Sequence, residues 1–470
     1  MDTFLTITAL LTPVLLGGLW LNLLVPANCV GRLAIVWGYG AIIGLYLLPQ
    51  IMLAVDAMGI PLRFANIAVP TLALVGLALL LNFKKKPAAA AAITDPTSTH
   101  NSRWQQALLL LVFALIVLRV VNLGLEVLAR PLFPWDATMH WATKSRVWFE
   151  HEAMVPFVNN NAWLKDGGVG VYTDRHPEYP PMIPLLQVWM NLAVQRWDES
   201  VMNLPWLLCF VALGTAFFGQ LRNSGVSAPL AMTFTYLLLS MPLIDIHVAL
   251  AGYADLFLGA TYCAALMAFH NWTIKRQFWQ GLITVIFALA CLQIKNEGAI
   301  WSIAMIPGIA TVYMARREAA KLFILLCLVV ILLWLLLPEH VLIFGHTLKQ
   351  LAPGFNPDAM IGVLKSVFLH DNWHLFGYMM MALIPLGLSM PGVMTRSFLP
   401  ISVTLACCVG GFLFLFLFTG YGWGASHFTA VGRLSIQLAP GLAFLGALLF
   451  NELLVRDGLR VKEEQDDAAS

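Results

Sequence analysis

The stretch YPPMIPLLQVWMNLAV, residues 179–194, decides the topology of this chain. It is apolar but shorter than the roughly 20 residues a helix needs to cross a bilayer core, and it carries prolines at 180, 181 and 184. Around it lies a chain that is 60% hydrophobic and 11% charged, where soluble domains carry about 25% charged residues. The chain is therefore read as an all-α, polytopic membrane protein. By the length rule, the apolar runs near 5–26, 32–55, 65–83, 105–124, 203–221, 227–244, 255–273, 279–294, 298–315, 321–343, 373–391, 397–419 and 434–454 give about 13 transmembrane helices.

Basic residues settle how the ambiguous stretch is placed. If 179–194 does not span, the short loops holding Arg32, Lys84 to Lys86 with Arg103, Arg222, Lys275 with Arg276, Arg316 with Arg317 and Lys321, and Arg396 fall on one side, together with Arg456, Arg460 and Lys462 of the tail. The positive-inside rule makes that side cytoplasmic. Residues 180–196 are then expected to form an amphipathic helix lying on the outer surface, inside a large outer loop, 125–202. Four regions follow: three leading transmembrane helices over 1–83, a cytoplasmic linker over 84–104, a transmembrane core over 105–454, and a cytoplasmic tail over 455–470.

Some function classes fall away. A net charge of +2, with no longer run of like charge than Lys84 to Lys86, gives no reason to expect a nucleic-acid partner. Seven cysteines without CxxC spacing read as small buried side chains, neither a disulfide framework nor a zinc site. The first apolar stretch has no basic residues before it and is long enough to span, so it reads as a retained helix.

The chemistry is expected on the outward face. PWDATMHWATKSRVWFE, residues 134–150, sets Asp136, His140, Lys144 and Arg146 among three tryptophans. As a helix it would lie flat in the headgroup layer, with Trp135, Trp141 and Trp148 as anchors, the cations reaching water, and Asp136 in the first turn. DRHPEYPP (174–181), GYADLF (252–257), IKNEG (294–298) and SHFTAVGRLSIQLAP (426–440) add His176, Glu178, Tyr253, Asp255, Lys295, Glu297, His427 and Arg433 to that face. Taken singly, most are ordinary: acidic residues cap helix ends, tryptophans anchor, and lone histidines sit at interfaces. Together they match the transfer of a group from a phosphate. Lys295 and Arg433 can hold phosphate, and Asp136 can take the proton of an attacking hydroxyl. His176, Glu178 and Asp255 are candidate ligands for a divalent metal cation, which the spacing leaves open.

In order and in sidedness, these motifs resemble the C-type superfamily of integral-membrane glycosyltransferases, whose members include protein O-mannosyltransferases and the lipid A aminoarabinose transferase. The likeness covers about residues 105–454. It implies a sugar donor on a polyprenyl phosphate, entering from the bilayer, with Asp136 as catalytic base and Asp255 assisting it or binding metal. It also implies a surface-lying helix after the first-loop aspartate. Asp136 lacks the second adjacent acid of the Asp-Glu pair common in mannosyltransferases, and the three leading helices precede the family core. The expected function is transfer of a sugar to an unidentified glycan, lipid or protein acceptor at the extracytoplasmic face of a bacterial inner membrane. His140, Trp135, Trp141, Tyr253, His427, Lys295 and Arg433 are the expected substrate contacts.

Two alternatives remain open. A transporter or flippase of lipid-linked sugars would show repeats and midplane charges; no repeat is visible, and Arg119 is the one charge placed inside a span. An O-antigen ligase or polymerase would use a late outer loop rich in arginine and histidine. Residues 344–372 here hold His346, Lys349, Lys365 and His370 but no arginine.

Overall fold

The computed structural model describes residues 2–85, 102–338, 340–343, 346–347, 351, 354–393 and 397–469. Most of the linker, together with Lys86, Lys349 and Arg396, lies outside the described residues. Among the described residues twenty α-helices follow one another, the first ten being α1 (Asp2–Leu24), α2 (Arg32–Ala57), α3 (Phe64–Lys84), α4 (Arg103–Ala129), α5 (Ala142–His151), α6 (Asn160–Lys165), α7 (Met182–Val194), α8 (Leu204–Asn223), α9 (Ala228–Leu239) and α10 (Pro242–Ala249). The second half holds α11 (Asp255–Lys275), α12 (Phe278–Leu292), α13 (Glu297–Ile303), α14 (Met305–Tyr313), α15 (Arg316–Leu336), α16 (Pro357–Leu364), α17 (Phe376–Ser389), α18 (Leu399–Phe418), α19 (Gly422–Ser426) and α20 (Val431–Ala469). Strand is confined, among the described residues, to two pairs of two-residue strands: Phe157–Val158 beside Tyr172–Thr173, and Leu342–Ile343 beside His346–Thr347.

The chain is an all-α polytopic membrane protein. Among the described residues seven helices are long and apolar enough to cross a bilayer, and α9 with α10, bent by 60°, makes an eighth if counted as one span. Several of the expected thirteen are short or divided: α12 has 15 residues and α17 has 14. The run 298–315 breaks into α13 and α14, of 7 and 9 residues.

Helix α7 corrects the reading of 179–194. All thirteen of its residues are buried, so protein, not headgroups or water, covers it on every side. Only Gln187 and Asn191 are polar, and apolar residues occupy every side, the pattern of a helix enclosed by protein. The three leading helices supply much of that enclosure. Trp189 donates through Nε1 to the Ala9 carbonyl (3.0 Å) and stacks on Phe64 (4.9 Å between centroids). Further in, the Tyr39 hydroxyl donates to the Ala264 carbonyl of α11 (3.0 Å) and its ring meets Phe287 of α12 edge-on. The leading helices thus pack into the same body as the rest, although the linker interrupts the hydropathy pattern.

Residues 134–150 also differ from a flat interfacial helix. Ala137–Trp141 form a π-helical turn that leads into α5. Trp141 and Trp148 are buried, and only Trp135, 68% exposed, is placed like an anchor. Lys144 is buried and does not reach water. Arg146 does stay outside, paired with Glu150 at 2.8 Å.

Candidate functional site

Four segments far apart in sequence meet at one end of the bundle. Asp255 opens α11 and is completely buried. Its Oδ1 accepts from Lys295 Nζ (2.9 Å) and Gln437 Nε2 (2.6 Å), and its Oδ2 from Arg433 Nε (3.2 Å) and Nη2 (3.3 Å). Arg433 Nη2 also donates to Asp136 Oδ2 (2.5 Å), so one guanidinium bridges two aspartates. Lys295 likewise reaches a second carboxylate, Glu297 Oε1, at 3.0 Å. The Arg433 guanidinium lies over the Tyr253 ring, 4.4 Å from its centroid, an attraction between cation and ring face.

Local backbone explains how these segments approach. Gly252 holds φ at +122°, and a Cβ there would fall 2.3 Å from the Ala137 Cβ. Only glycine lets the GYAD turn lie against the PWDA turn. At Gly259 a Cβ would stand 2.6 Å from the Ile436 carbonyl oxygen, so α11 and α20 touch by backbone one turn below the Asp255–Arg433 contact. Gln437 follows Arg433 by four residues on α20, hence on the same helix face, and its Oε1 is fixed by the Trp301 indole N–H (2.6 Å).

Exposure separates roles within the cluster. The Asp255 side chain is 0% exposed and Lys295 4%, whereas Asp136, Glu297 and Arg433 show 17%, 16% and 24%. Asp136 is held by the single donor Arg433, and its Oδ1 carries no described bond. Both Asp255 oxygens are filled, by three protein donors in all. Asp136 and Glu297 are the partly exposed carboxylates of the cluster.

A second cluster lies in the loop beside it. His140 Nδ1 meets Asp174 Oδ1 at 2.6 Å, and Lys144 Nζ approaches Asp174 Oδ2 at 2.9 Å. Lys144 also donates to the carbonyls of His176 (2.8 Å) and Pro177 (3.4 Å). Burial acts to raise the Asp174 carboxyl, but hydrogen bonds from His140 and the His176 backbone N–H, with the Lys144 charge, outweigh it and hold the group at about 2. Burial pulls Lys144 below the usual lysine value despite Asp174. Above this ion pair the Trp141, Tyr179 and His176 rings stack at 4.9 and 4.8 Å, nearly parallel. Burial raises the Tyr179 hydroxyl strongly, and the charges of Lys295, Glu297, Asp136 and Arg433 reach it; the aromatic column therefore borders the four-segment cluster.

The structure gathers Asp136, Asp255, Lys295, Arg433 and Tyr253 of the expected residues. His140 and Trp141 belong to the loop cluster, Trp135 points out, and His427 is exposed, stacked on Trp423 at 4.4 Å. The metal candidates do not converge: His176 pairs with Glu178 (3.1 Å), and Asp255 is occupied by cations. Among the described residues no group of three or more His, Cys, Asp or Glu surrounds a common point. Gln437, Trp301 and Asp174 were not expected as members. Gln437 was findable from its i+4 spacing to Arg433, but nothing local marks Trp301. All seven cysteines are free, five of them buried. No family model, curated protein or solved structure matches the chain.

Proposed function

We propose that the chain is a glycosyltransferase that moves a sugar from a polyprenyl-phosphate donor to an acceptor hydroxyl, with Asp136 as general base. The observation that carries this reading is the Arg433 bridge. One half-exposed guanidinium joins an outward carboxylate to a buried one, with Lys295 behind. Three carboxylates face two cations, so neither cation is unpaired and a phosphate must displace a carboxylate to bind. Asp136 and Glu297 each pair with one cation; Asp136 yields because its partner, Arg433, is the more exposed, 24% against 4% for Lys295. Donor binding then transfers Arg433 to the phosphate and frees Asp136 to take the acceptor proton. The acceptor oxygen bonds to the anomeric carbon, the bond from that carbon to the phosphate oxygen breaks, and the lipid phosphate leaves on Arg433 and Lys295. Asp255 holds both cations in place. No step here is routed through a metal, because the candidate ligands are not gathered.

The finer topology belongs to the same proposal. Helices α11, α12, α13 with α14, α15 and α17 complete thirteen crossings, and the basic loops face the cytoplasm. The site then opens to the periplasmic side of a bacterial inner membrane.

The test incubates purified wild type and Asp136→Asn with a panel of radiolabelled polyprenyl-phosphate sugars, with and without divalent cation, and scores sugar released from lipid. Release by wild type that is lost in the variant supports the reading. If no donor is consumed while labelled lipid crosses reconstituted vesicles, the chain is a lipid-linked sugar transporter and Asp136 a recognition residue.

A further inference from the structure

Away from the cluster, α4 carries Arg119 on the bundle periphery, among exposed leucines, valines and phenylalanines. Its Nη1 donates to Asp245 Oδ2 of α10, and its guanidinium lies 5.9 Å from the Tyr236 ring centroid. A charge among lipid-facing side chains is costly and calls for an explanation. The pair is partly exposed, its side chains at 29% and 17%, while Asp245 Oδ1 is buried and makes no hydrogen bond. A cavity of about 400 Å³ lies between α4, α8 and α9, lined almost wholly by apolar groups such as Phe113, Val117, Phe218 and Leu239, and it includes Val120 and Thr235, the sequence neighbours of Arg119 and Tyr236. Residues 113–121 of α4 cover about 12 Å of its length at the helical rise.

The outer loop fixes the depth of the pair. The backbone N–H of Leu243, two residues before Asp245, donates to the Asn372 carbonyl (3.1 Å), which ties α10 to the 371–374 segment. His374 of that segment is exposed and paired with Asp371. On the proposed topology Arg119 and Asp245 therefore sit beneath the membrane end that carries Asp136, where a lipid headgroup meets its chains. Bent helix α10 then continues to His247, whose ring lies 5.3 Å from that of Tyr253 under Arg433.

The geometry points to a binding site for a phospholipid with a zwitterionic, primary-ammonium headgroup, its phosphate on Arg119, its ammonium on Asp245 and one acyl chain in the α4–α8–α9 groove. A neutral ion pair matches a headgroup that carries both charges. A purely anionic headgroup would satisfy Arg119 and repel Asp245. A quaternary ammonium has no N–H to give the unpaired oxygen.

Native mass spectrometry of the delipidated full chain, titrated separately with phosphatidylethanolamine, phosphatidylcholine and phosphatidylglycerol of identical chains, tests this. Phosphatidylethanolamine should bind about tenfold more tightly than either other lipid, the worth of one charge-assisted hydrogen bond. Arg119→Met with Asp245→Leu, which replaces the pair by apolar groups that membrane packing tolerates, should bring the three lipids within about threefold. Val117→Trp, filling the groove, should weaken all three. Preference for phosphatidylglycerol, equal binding of the three by wild type, or an ethanolamine preference that survives in the double variant would each overturn the site. The wild-type ranking decides alone if a variant does not purify.

Discussion

Two ion clusters sit side by side at one end of this bundle, and they are built oppositely. In the loop cluster, Asp174 lies 34 residues from His140 and within four of the peptide groups that Lys144 binds. It is closed: the Lys144 and Asp174 side chains are 2% and 1% exposed. The bundle cluster joins residues up to 297 apart, and its outer half is open. A closed local pair fixes a loop, whereas an open cluster assembled from distant segments needs the whole fold and leaves groups for a ligand. Under the proposed function, this contrast gives the chemistry to Asp136 and Arg433 and leaves His140, Lys144 and Asp174 to hold the loop.

The largest expected effect is on folding. Asp255→Ala strands Lys295 and part of Arg433 in a buried site, and breaking one partner of such a pair costs about 3–5 kcal/mol. Thermal unfolding in detergent should show it, and Asp255→Asn should recover part of the loss by keeping an acceptor for Lys295. A variant as stable as wild type would mean that Asp255 does not hold the cations. Asp136→Asn should act the other way: turnover falls by roughly 10²–10⁴-fold, the usual worth of a general base, while stability changes by about 1 kcal/mol or less, since Arg433 keeps Asp255. Equal loss of stability in the two variants would erase the distinction between the inner and outer carboxylates.

Much of this was legible in the sequence, and the misses have physical causes. Asp136, Asp255, Lys295 and Arg433 were readable because few charged residues flank the apolar runs on the side opposite the basic loops. The place of α7 was not, because hydropathy cannot tell an apolar helix covered by lipid from one covered by Trp189's neighbours on α1 and α3. His140 and Lys144 were read as reaching outward because their partner, Asp174, comes from another part of the loop. Composition locates the charges, but only packing says which of them are already spent on each other.

Acid should reach the loop cluster through Asp174. Its folded value, about 2, lies below the ordinary 3.8, so its contribution is present in full above the ordinary value and is lost as pH falls through 2. The shift is worth on the order of 2 kcal/mol. Hydrogen exchange across residues 137–181 should stay slow down to about pH 4 and quicken toward pH 2, and Asp174→Asn should remove that step. Exchange that quickens in the same range in the variant would place the acid-sensitive group elsewhere.

The smallest effect is expected at His427, and it bounds the site. Its imidazole is exposed, stacked on Trp423, and bonded through Nδ1 to the Trp423 carbonyl (2.9 Å) of its own short helix. It shares a segment with Arg433 but no described contact with the cluster. His427→Ala should therefore move stability by about 0.5 kcal/mol or less, as surface changes do, and leave donor release within about twofold. A tenfold loss of release with unchanged stability would extend the site outward over α19 and make Trp423 and His427 part of the surface that receives the acceptor. In that event the open cluster would be larger than its ion pairs, and the boundary drawn here between chemistry and architecture would shift from the Arg433 bridge to the rim around it.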